Sequence, residues 1–261
     1  MLWSKLGLLG LCAMALSLMA FATSSAQAAE WLILNIQDEV KTGAELNASL
    51  ESEIESKKDG TLLTKILSLS VGILCFSAAL EKAKLVGGGK VSSNFKVTFT
   101  GCEVLEEPTG KPLSGCTVKS IGEEAKKIAT RELKGQLQAN GEVLIESNTS
   151  IAEGSKTVGL LAELKFEGTE CDLKALGTTP VKGVLWIKDN GGQAGAESHK
   201  VKHSIEESKA KWRNNKKSEL KLGTLWLGAD TEEHLETSID GSALVLLTGE
   251  HMNFSWGAAL P

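Results

Sequence analysis

Two histidines four residues apart, His199 and His203, are the side chains best placed to bind a metal. On a helix, residues i and i+4 lie ~6 Å apart and can share one ion. Here Val201 and Ile205 continue an alternation with lysine and serine, which is the pattern of a strand. On a strand the two histidines would lie ~13 Å apart. We therefore predict no metal site and no cofactor.

The run Gly87-Gly88-Gly89-Lys90 has part of the pattern of a phosphate-binding loop. Such a loop needs a glycine five residues before its Gly-Lys pair and a Ser or Thr after the lysine. Lys84 and Val91 occupy those two positions. The run is therefore interpreted as a flexible connector.

No motif for catalysis is present in the sequence. A G-x-S-x-G nucleophile elbow and an aspartic-protease D-[ST]-G are both missing. Paired carboxylates for sugar hydrolysis do not stand out in a chain with 33 Asp and Glu residues. The sequence favours a non-enzymatic protein and names no catalytic residue.

Trp212 and Arg213 lie in the one cluster that is both basic and aromatic, Lys209 to Lys217. Such a cluster suits contact with a glycan, an acidic polymer or lipid headgroups, and it also suits a solvated loop. The tryptophans at 186, 226 and 256 alternate with their neighbours and are predicted to pack in the core.

The N-terminus has the three parts of a secretory signal peptide. Lys5 precedes an apolar run from Leu6 to Phe21, and Ala26-Gln27-Ala28 fits the A-x-A cleavage rule. The run is shorter than the ~20 residues of a membrane-spanning helix. We predict a signal-peptide helix over 1–28, cleavage after Ala28, and a single extracytoplasmic domain over 29–261 without stable membrane insertion.

Four cysteines follow the predicted cleavage point: Cys75, Cys102, Cys116 and Cys171. An even number in an exported chain indicates two disulfides, with three pairings open. Turn residues between Cys102 and Cys116 favour a hairpin that joins these two, which leaves Cys75 for Cys171. A four-cysteine zinc site needs close C-x₂-C units, and the chain has none.

Charge and composition argue against a nucleic-acid partner. The net charge is −5, and Arg131 and Arg213 are the two arginines of the chain. Nucleic-acid binders present a basic face and use arginine for phosphate and base contacts.

Period-2 alternation predicts strands along most of the chain. It is clearest from Leu67 to Cys75, from Val181 to Ile187 and from Met252 to Trp256. Leu62–Leu80 is apolar enough for a membrane helix, but its serines and alternation favour two buried strands. Leu46–Ile54 fits either a helix or a strand. We predict an all-β antiparallel sandwich or barrel of roughly ten or more strands.

Asn-Gly and Asp-Gly pairs predict the turns. At Asn140-Gly141, a three-residue loop, Ala139 to Gly141, places Leu137 opposite Val143 and Gly135 opposite Ile145. Asp240-Gly241 is predicted to be a second tight turn.

Several segments share spacing with known exported proteins. Trp31–Asn35 follows the leader, Cys75 ends a strand, and Phe99-Thr-Gly-Cys102 precedes Cys116-Thr-Val118. Ile128–Leu137 and the stretch from Cys171 to Gly183 complete the set. Over residues 29–187 the chain resembles an uncharacterised family of exported bacterial proteins. The resemblance implies a disulfide β-scaffold and assigns no functional residue.

The sequence thus favours a secreted or envelope-associated β-scaffold that binds a partner without catalysis, with the cell envelope or a glycan as the contact. A secreted hydrolase acting on a glycan or peptide is the alternative. Carbohydrate binding through Trp212 is a third hypothesis.

Overall fold

A computed structural model describes residues 29–34, 46–50, 61–66, 69–107, 109–153, 156–189, 198–203, 225–227, 235–252 and 254–259. These ranges contain 21 β-strands, two short 3₁₀ segments and no α-helix. Every strand pair in them is antiparallel, and part of the sheet curls into a half-barrel. The all-β prediction is confirmed.

The strands are numbered in chain order. The first ten are β1 Glu30–Leu34, β2 Leu46–Leu50, β3 Thr61–Ile66, β4 Leu69–Leu74, β5 Ser77–Glu81, β6 Leu85–Val86, β7 Lys90–Thr100, β8 Glu103–Glu107, β9 Lys111–Pro112 and β10 Thr117–Ser120. The others are β11 Lys127–Ala129, β12 Leu133–Leu137, β13 Glu142–Ser147, β14 Ser150–Glu153, β15 Lys156–Glu167, β16 Thr178–Lys182, β17 Val184–Asp189, β18 Ser198–His203, β19 Leu225–Leu227, β20 Leu235–Leu247 and β21 Ser255–Ala259. The 3₁₀ segments are Asp172–Leu176 and Gly249–His251.

The apolar stretch Leu62–Leu80 forms strands, as its alternation predicts. It covers most of β3, all of β4 and most of β5, so it is divided among three strands rather than two. Val71 and Ile73 are buried on the predicted face. Within the described ranges, no helix is long and apolar enough to cross a membrane. For Leu46–Leu50 the strand alternative is correct, since these residues form β2.

The longest strand, β20, passes through two parts of the sheet. Its first half pairs with β3 and β19, and its second half pairs with β2 and β18. Asp240 faces Thr61 in one ladder and Gly241 faces His203 in the other. The predicted Asp240-Gly241 turn is therefore wrong, because the strand continues through these residues while it changes partners.

Buried side chains from both parts of the sheet form one cluster. It includes Trp31 and Trp256, whose ring centroids lie 5.9 Å apart. Core packing of Trp256 is therefore confirmed. The two tryptophans belong to β1 and β21, which pair with each other as a separate two-stranded ribbon. The ribbon thus connects the two ends of the described chain to the core.

The loop at Asn140-Gly141 is confirmed. Leu137 faces Val143 and Gly135 faces Ile145. Gly141 has a φ of 81°, and its N–H bonds the carbonyl of Gln138 at 2.9 Å. This left-handed residue closes the three-residue loop.

The predicted disulfide pairing is wrong. The bridges join Cys75 to Cys102 and Cys116 to Cys171. The β8–β9 ladder ends near Pro112, and the N–H of Cys116 bonds the carbonyl of Leu113 at 3.1 Å. This turn directs Cys116 away from Cys102 before a hairpin could bring them together.

Strand register explains the first bridge. Leu74 faces Glu103 and Ser77 faces Thr100, so one continuous register runs through both pairs. That register places Cys75 opposite Cys102. The two cysteines are therefore cross-strand partners at the middle of a long bent hairpin.

A close backbone approach explains the second bridge. Thr117 faces Glu167 at the end of the β10–β15 ladder. Just beyond it, a Cβ at Gly168 would collide with the carbonyl oxygen of Gly115. The missing side chain lets the two segments approach closely enough for Cys116 to reach Cys171.

Candidate functional site

A polar groove of about 350 Å³ lies where β7, β10, β11 and β15 meet. We name it the Arg131 groove, after the arginine in its wall. Its lining consists of Lys96, Ser120, Ile121, Glu123, Ala129, Thr130, Arg131, Glu132, Thr149 and Glu163.

Backbone hydrogen bonds position the wall of the groove. The segment between β11 and β12 bridges β7 and β15. The N–H of Thr130 donates to the carbonyl of Val97 in β7 at 2.9 Å, and the N–H of Arg131 donates to the carbonyl of Leu161 in β15 at 2.7 Å. The N–H of Ile121 bonds the carbonyl of Glu163 at 3.2 Å. Arg131 is thus fixed at its backbone, and its side chain stays 48% exposed.

Two carboxylates of the groove are ion-paired. The Arg131 guanidinium donates a hydrogen bond to Glu163. Lys127 lies 2.8 Å from Glu123, and this hydrogen bond raises the pKa of Lys127 above its ordinary value. Both carboxylates therefore have a cationic partner within the protein.

Two hydroxyl groups of the lining are engaged by backbone. Ser120 Oγ accepts from the N–H of Ala129 at 2.8 Å and donates to its carbonyl at 3.0 Å. Thr130 Oγ1 accepts from the N–H of Val97 at 2.9 Å. These hydroxyls stabilise the wall and are poorly placed to act as nucleophiles.

The lining of the groove includes one exposed apolar residue. Ile121 is 51% exposed. The groove therefore offers both signs of charge, hydrogen-bonding groups and one apolar contact, which suits a polar ligand better than a hydrophobic one.

Of the candidate site residues predicted from the sequence, the structure describes the two histidines. His199 and His203 are in β18, so the predicted strand is confirmed. Within the described ranges, no group of three or more His, Cys, Asp or Glu side chains could hold a metal. Trp212, Arg213 and the cleavage residue Ala28 lie outside the described residues.

The glycine run is more than a connector. Gly88 donates its N–H to the Glu30 carboxylate at 2.9 Å and accepts from Gln136 Nε2 at 2.9 Å. Gly89 accepts from the N–H of Leu137 at 2.7 Å. The turn between β6 and β7 therefore holds the start of β1 against β12, a role that the sequence analysis missed. The absence of side chains was the available signal, because glycine permits close backbone contact.

The Arg131 groove was also missed. Its lining comes from segments distant in the sequence, brought together by strand pairing. Arg131 itself was noted, as one of two arginines in the chain, and its scarcity was the one available signal.

Fold and disulfides together define an all-β protein of the kind typical of oxidising, extracytoplasmic surroundings. No family model, no curated protein and no solved structure matches the chain. The resemblance to a family of exported bacterial proteins therefore stays a prediction.

Proposed function

We propose that this protein is an exported, non-catalytic binding module that works in the cell envelope or outside the cell. In this proposal the leader 1–28 is removed after Ala28, and residues 29–261 form the mature protein. The two disulfides are the observation that carries the proposal. Such bridges persist in oxidising compartments and are rare where thiols are kept reduced.

Burial of the cysteines supports a structural role for the bridges. Three of the four bridged cysteines are buried: Cys102 has no exposed surface, and Cys75 and Cys171 are each 6% exposed, while Cys116 is partly buried. Reactive cysteines lie in accessible surroundings, whereas buried ones are inert. The bridges therefore brace the scaffold rather than carry out redox chemistry.

The Arg131 groove supports binding rather than hydrolysis. Two carboxylates of its lining, Glu163 and Glu123, are each held in an ion pair with a cation of the protein. The same side chains suit a ligand that carries both amines and carboxylates. A peptidoglycan fragment, a glycan with a short peptide, has this chemistry and belongs to the proposed location.

Export is tested by expressing the full chain with its leader and sequencing the N-terminus of the product. We expect the product to begin at Ala29, give or take one or two residues, and to contain no free thiol. A product that begins at Met1, or one with four titratable thiols, would contradict export.

Ligand binding is tested with soluble peptidoglycan fragments and isothermal titration calorimetry. Replacing Arg131 by Gln should weaken binding by roughly 10-fold or more, since hydrogen bonds to charged groups contribute about 1.5–3 kcal/mol. Lys174→Gln is the matched control, because Lys174 is an exposed cation outside the groove.

A Trp212→Ala variant separates the groove from the other surface suggested by the sequence. If Trp212→Ala abolishes binding and Arg131→Gln does not, the ligand binds at the basic aromatic cluster instead. If no fragment binds to the wild-type protein, the assignment of this ligand class fails.

A further inference from the structure

In the ribbon, β21 binds β1 by antiparallel strand pairing. β1 pairs with β21 along its whole length, from Glu30 opposite Ala259 to Leu34 opposite Ser255. Within the described ranges, β21 is the one strand that pairs with β1. The strand pairing of β1 is thus with a segment more than 200 residues further along the chain rather than with its neighbours in sequence.

Three features make this docking specific. The Glu30 carboxylate accepts a hydrogen bond from the N–H of Gly88. A Cβ at Gly89 would collide with the carbonyl oxygen of Ala29. Trp31 is 6% exposed and packs on Trp256. A strand that begins Ala-Glu-Trp therefore fits, and its fit depends on a glycine at position 89.

Residues 35–45 connect β1 to β2. Eleven residues span up to ~40 Å when extended. That reach allows β1 to dock on its own chain or on a neighbouring one. The contacts are the same in both arrangements, so exchange between copies needs no new interface.

We propose that β21 and the Gly88–Gly89 turn form a strand-acceptor site whose partner is a second copy of this chain. That copy docks its own Ala29–Leu34 strand there, and the product is a strand-exchanged dimer. Docking within one chain competes with exchange, and a short linker gives it an effective concentration of ~1 mM. The monomer therefore dominates at micromolar concentration, and the dimer forms as the protein concentration approaches that value.

The proposal is tested by engineered disulfide capture between two variants. One chain carries Leu34→Cys and the other carries Ser255→Cys, at positions that face each other in the ribbon. Each chain has one new cysteine, so a bridge between positions 34 and 255 can form only between two chains, and non-reducing peptide mapping separates it from bridges between two identical chains. We expect a linked dimer whose yield rises with concentration after the two chains are refolded together. Lys174→Cys replaces Ser255→Cys in the control mixture, which should remain monomeric.

Donor and acceptor variants test specificity. Trp31→Ala impairs the donor strand and Gly89→Ala impairs the acceptor. Each also impairs docking within its own chain, so the mixture should favour a heterodimer in which the intact strand fills the intact acceptor. Trp31→Phe should retain exchange, and Gly87→Ala is the matched glycine control, since a Cβ there meets nothing within 4 Å.

Two results would overturn the proposal. One is the absence of linked dimer at every concentration up to ~1 mM, with all chains folded as judged by their native disulfides. The other is a dimer that forms equally well between two Trp31→Ala chains, because such a dimer would use a different surface. The proposal does not depend on export or on the Arg131 groove.

Discussion

At the scale of single residues, Glu167 resolves a conflict between like charges. Lys119 and Lys165 face each other across the β10–β15 ladder. Like charges directly opposite destabilise a sheet. The Glu167 carboxylate lies 3.0 Å from each ammonium group. Hydrogen bonds from Lys165 and Lys119 hold the pKa of Glu167 below its ordinary value of 4.5.

This arrangement predicts a pH-dependent contribution to stability. A carboxylate with a lowered pKa in the folded state stabilises the protein above its unfolded-state pKa, and the effect is lost as pH falls through the folded-state value. Glu167→Gln should therefore lower the melting temperature at neutral pH, by a modest amount because the site is exposed to solvent. The difference should shrink below pH 4.5 and vanish in stronger acid.

Thermal melts of both proteins between acidic and neutral pH measure this difference. Glu170→Gln is a suitable control, because Glu170 is an exposed carboxylate for which no ion pair with a described residue is seen. A difference that grows with acidification would contradict the sign.

Gly141 gives a second prediction at this scale. Its φ of 81° is left-handed, and such a conformation costs an ordinary L-residue about 1–2 kcal/mol. Gly141→Ala should reduce the free energy of unfolding by that amount. Gly141→Asn should cost less, since asparagine adopts this conformation more readily. Urea denaturation measures both, and equal effects of the two variants would argue against the bulged loop.

At the scale of elements, the two bridges restrict loops of different length. The paired cysteines are 27 and 55 residues apart. The chain-entropy relation gives ~3.5 kcal/mol for the shorter loop and ~4 kcal/mol for the longer one. Replacing Cys75 and Cys102 together by Ala, or Cys116 and Cys171 together by Ala, should therefore destabilise the protein by those amounts.

Urea denaturation of the two double variants checks these values, and non-reducing peptide mapping checks the bridge that remains. Each variant should keep its other native pair intact. A variant with no measurable loss of stability would show that its bridge does not constrain the unfolded chain.

Strand formation could be predicted from the sequence at this scale, but strand partners could not. Alternation identified Val71 and Ile73 as a buried face, and the Asn140-Gly141 register followed from side-chain matching within one hairpin. Cys75 and Cys102 are brought together by the strand pairing that flanks them on both sides. Local turn residues do not predict this pairing, because the paired strands are distant in the sequence. Long-range pairing therefore decided the bridges.

Alternation also does not show how many faces of a strand are covered. Val181 and Lys182 point to opposite faces of β16, yet they are 5% and 1% exposed. The pattern placed Lys182 on the second face and gave no sign that this face is covered as well. Gly183 then separates β16 from β17, although the alternation continues through it.

At the scale of the whole molecule, β20 couples the two parts of the sheet. Its halves pair with different sets of strands, and the buried side chains form one cluster. We expect residues 29–261 to unfold in a single cooperative transition, as a single domain would. Hydrogen exchange that shows equal free energies of opening for β3 and β17 would support this, whereas two separated thermal transitions would contradict it.

The Arg131 groove is also a property of the whole molecule. Lys96, Arg131 and Glu163 belong to three segments that approach each other only after β7, β11 and β15 have assembled. No spacing in the sequence brings them together. The groove could be found in the folded chain alone.

The order of the bridges has a consequence for biogenesis. Of the four bridged cysteines, the first is bonded to the second and the third to the fourth, so both thiols of the first pair precede the third along the chain. For a polypeptide that is threaded through a translocon from its N-terminus, oxidation in order of arrival gives the correct connectivity without reshuffling. We therefore expect cells that lack a disulfide isomerase, but retain the oxidase, to produce the protein in undiminished yield.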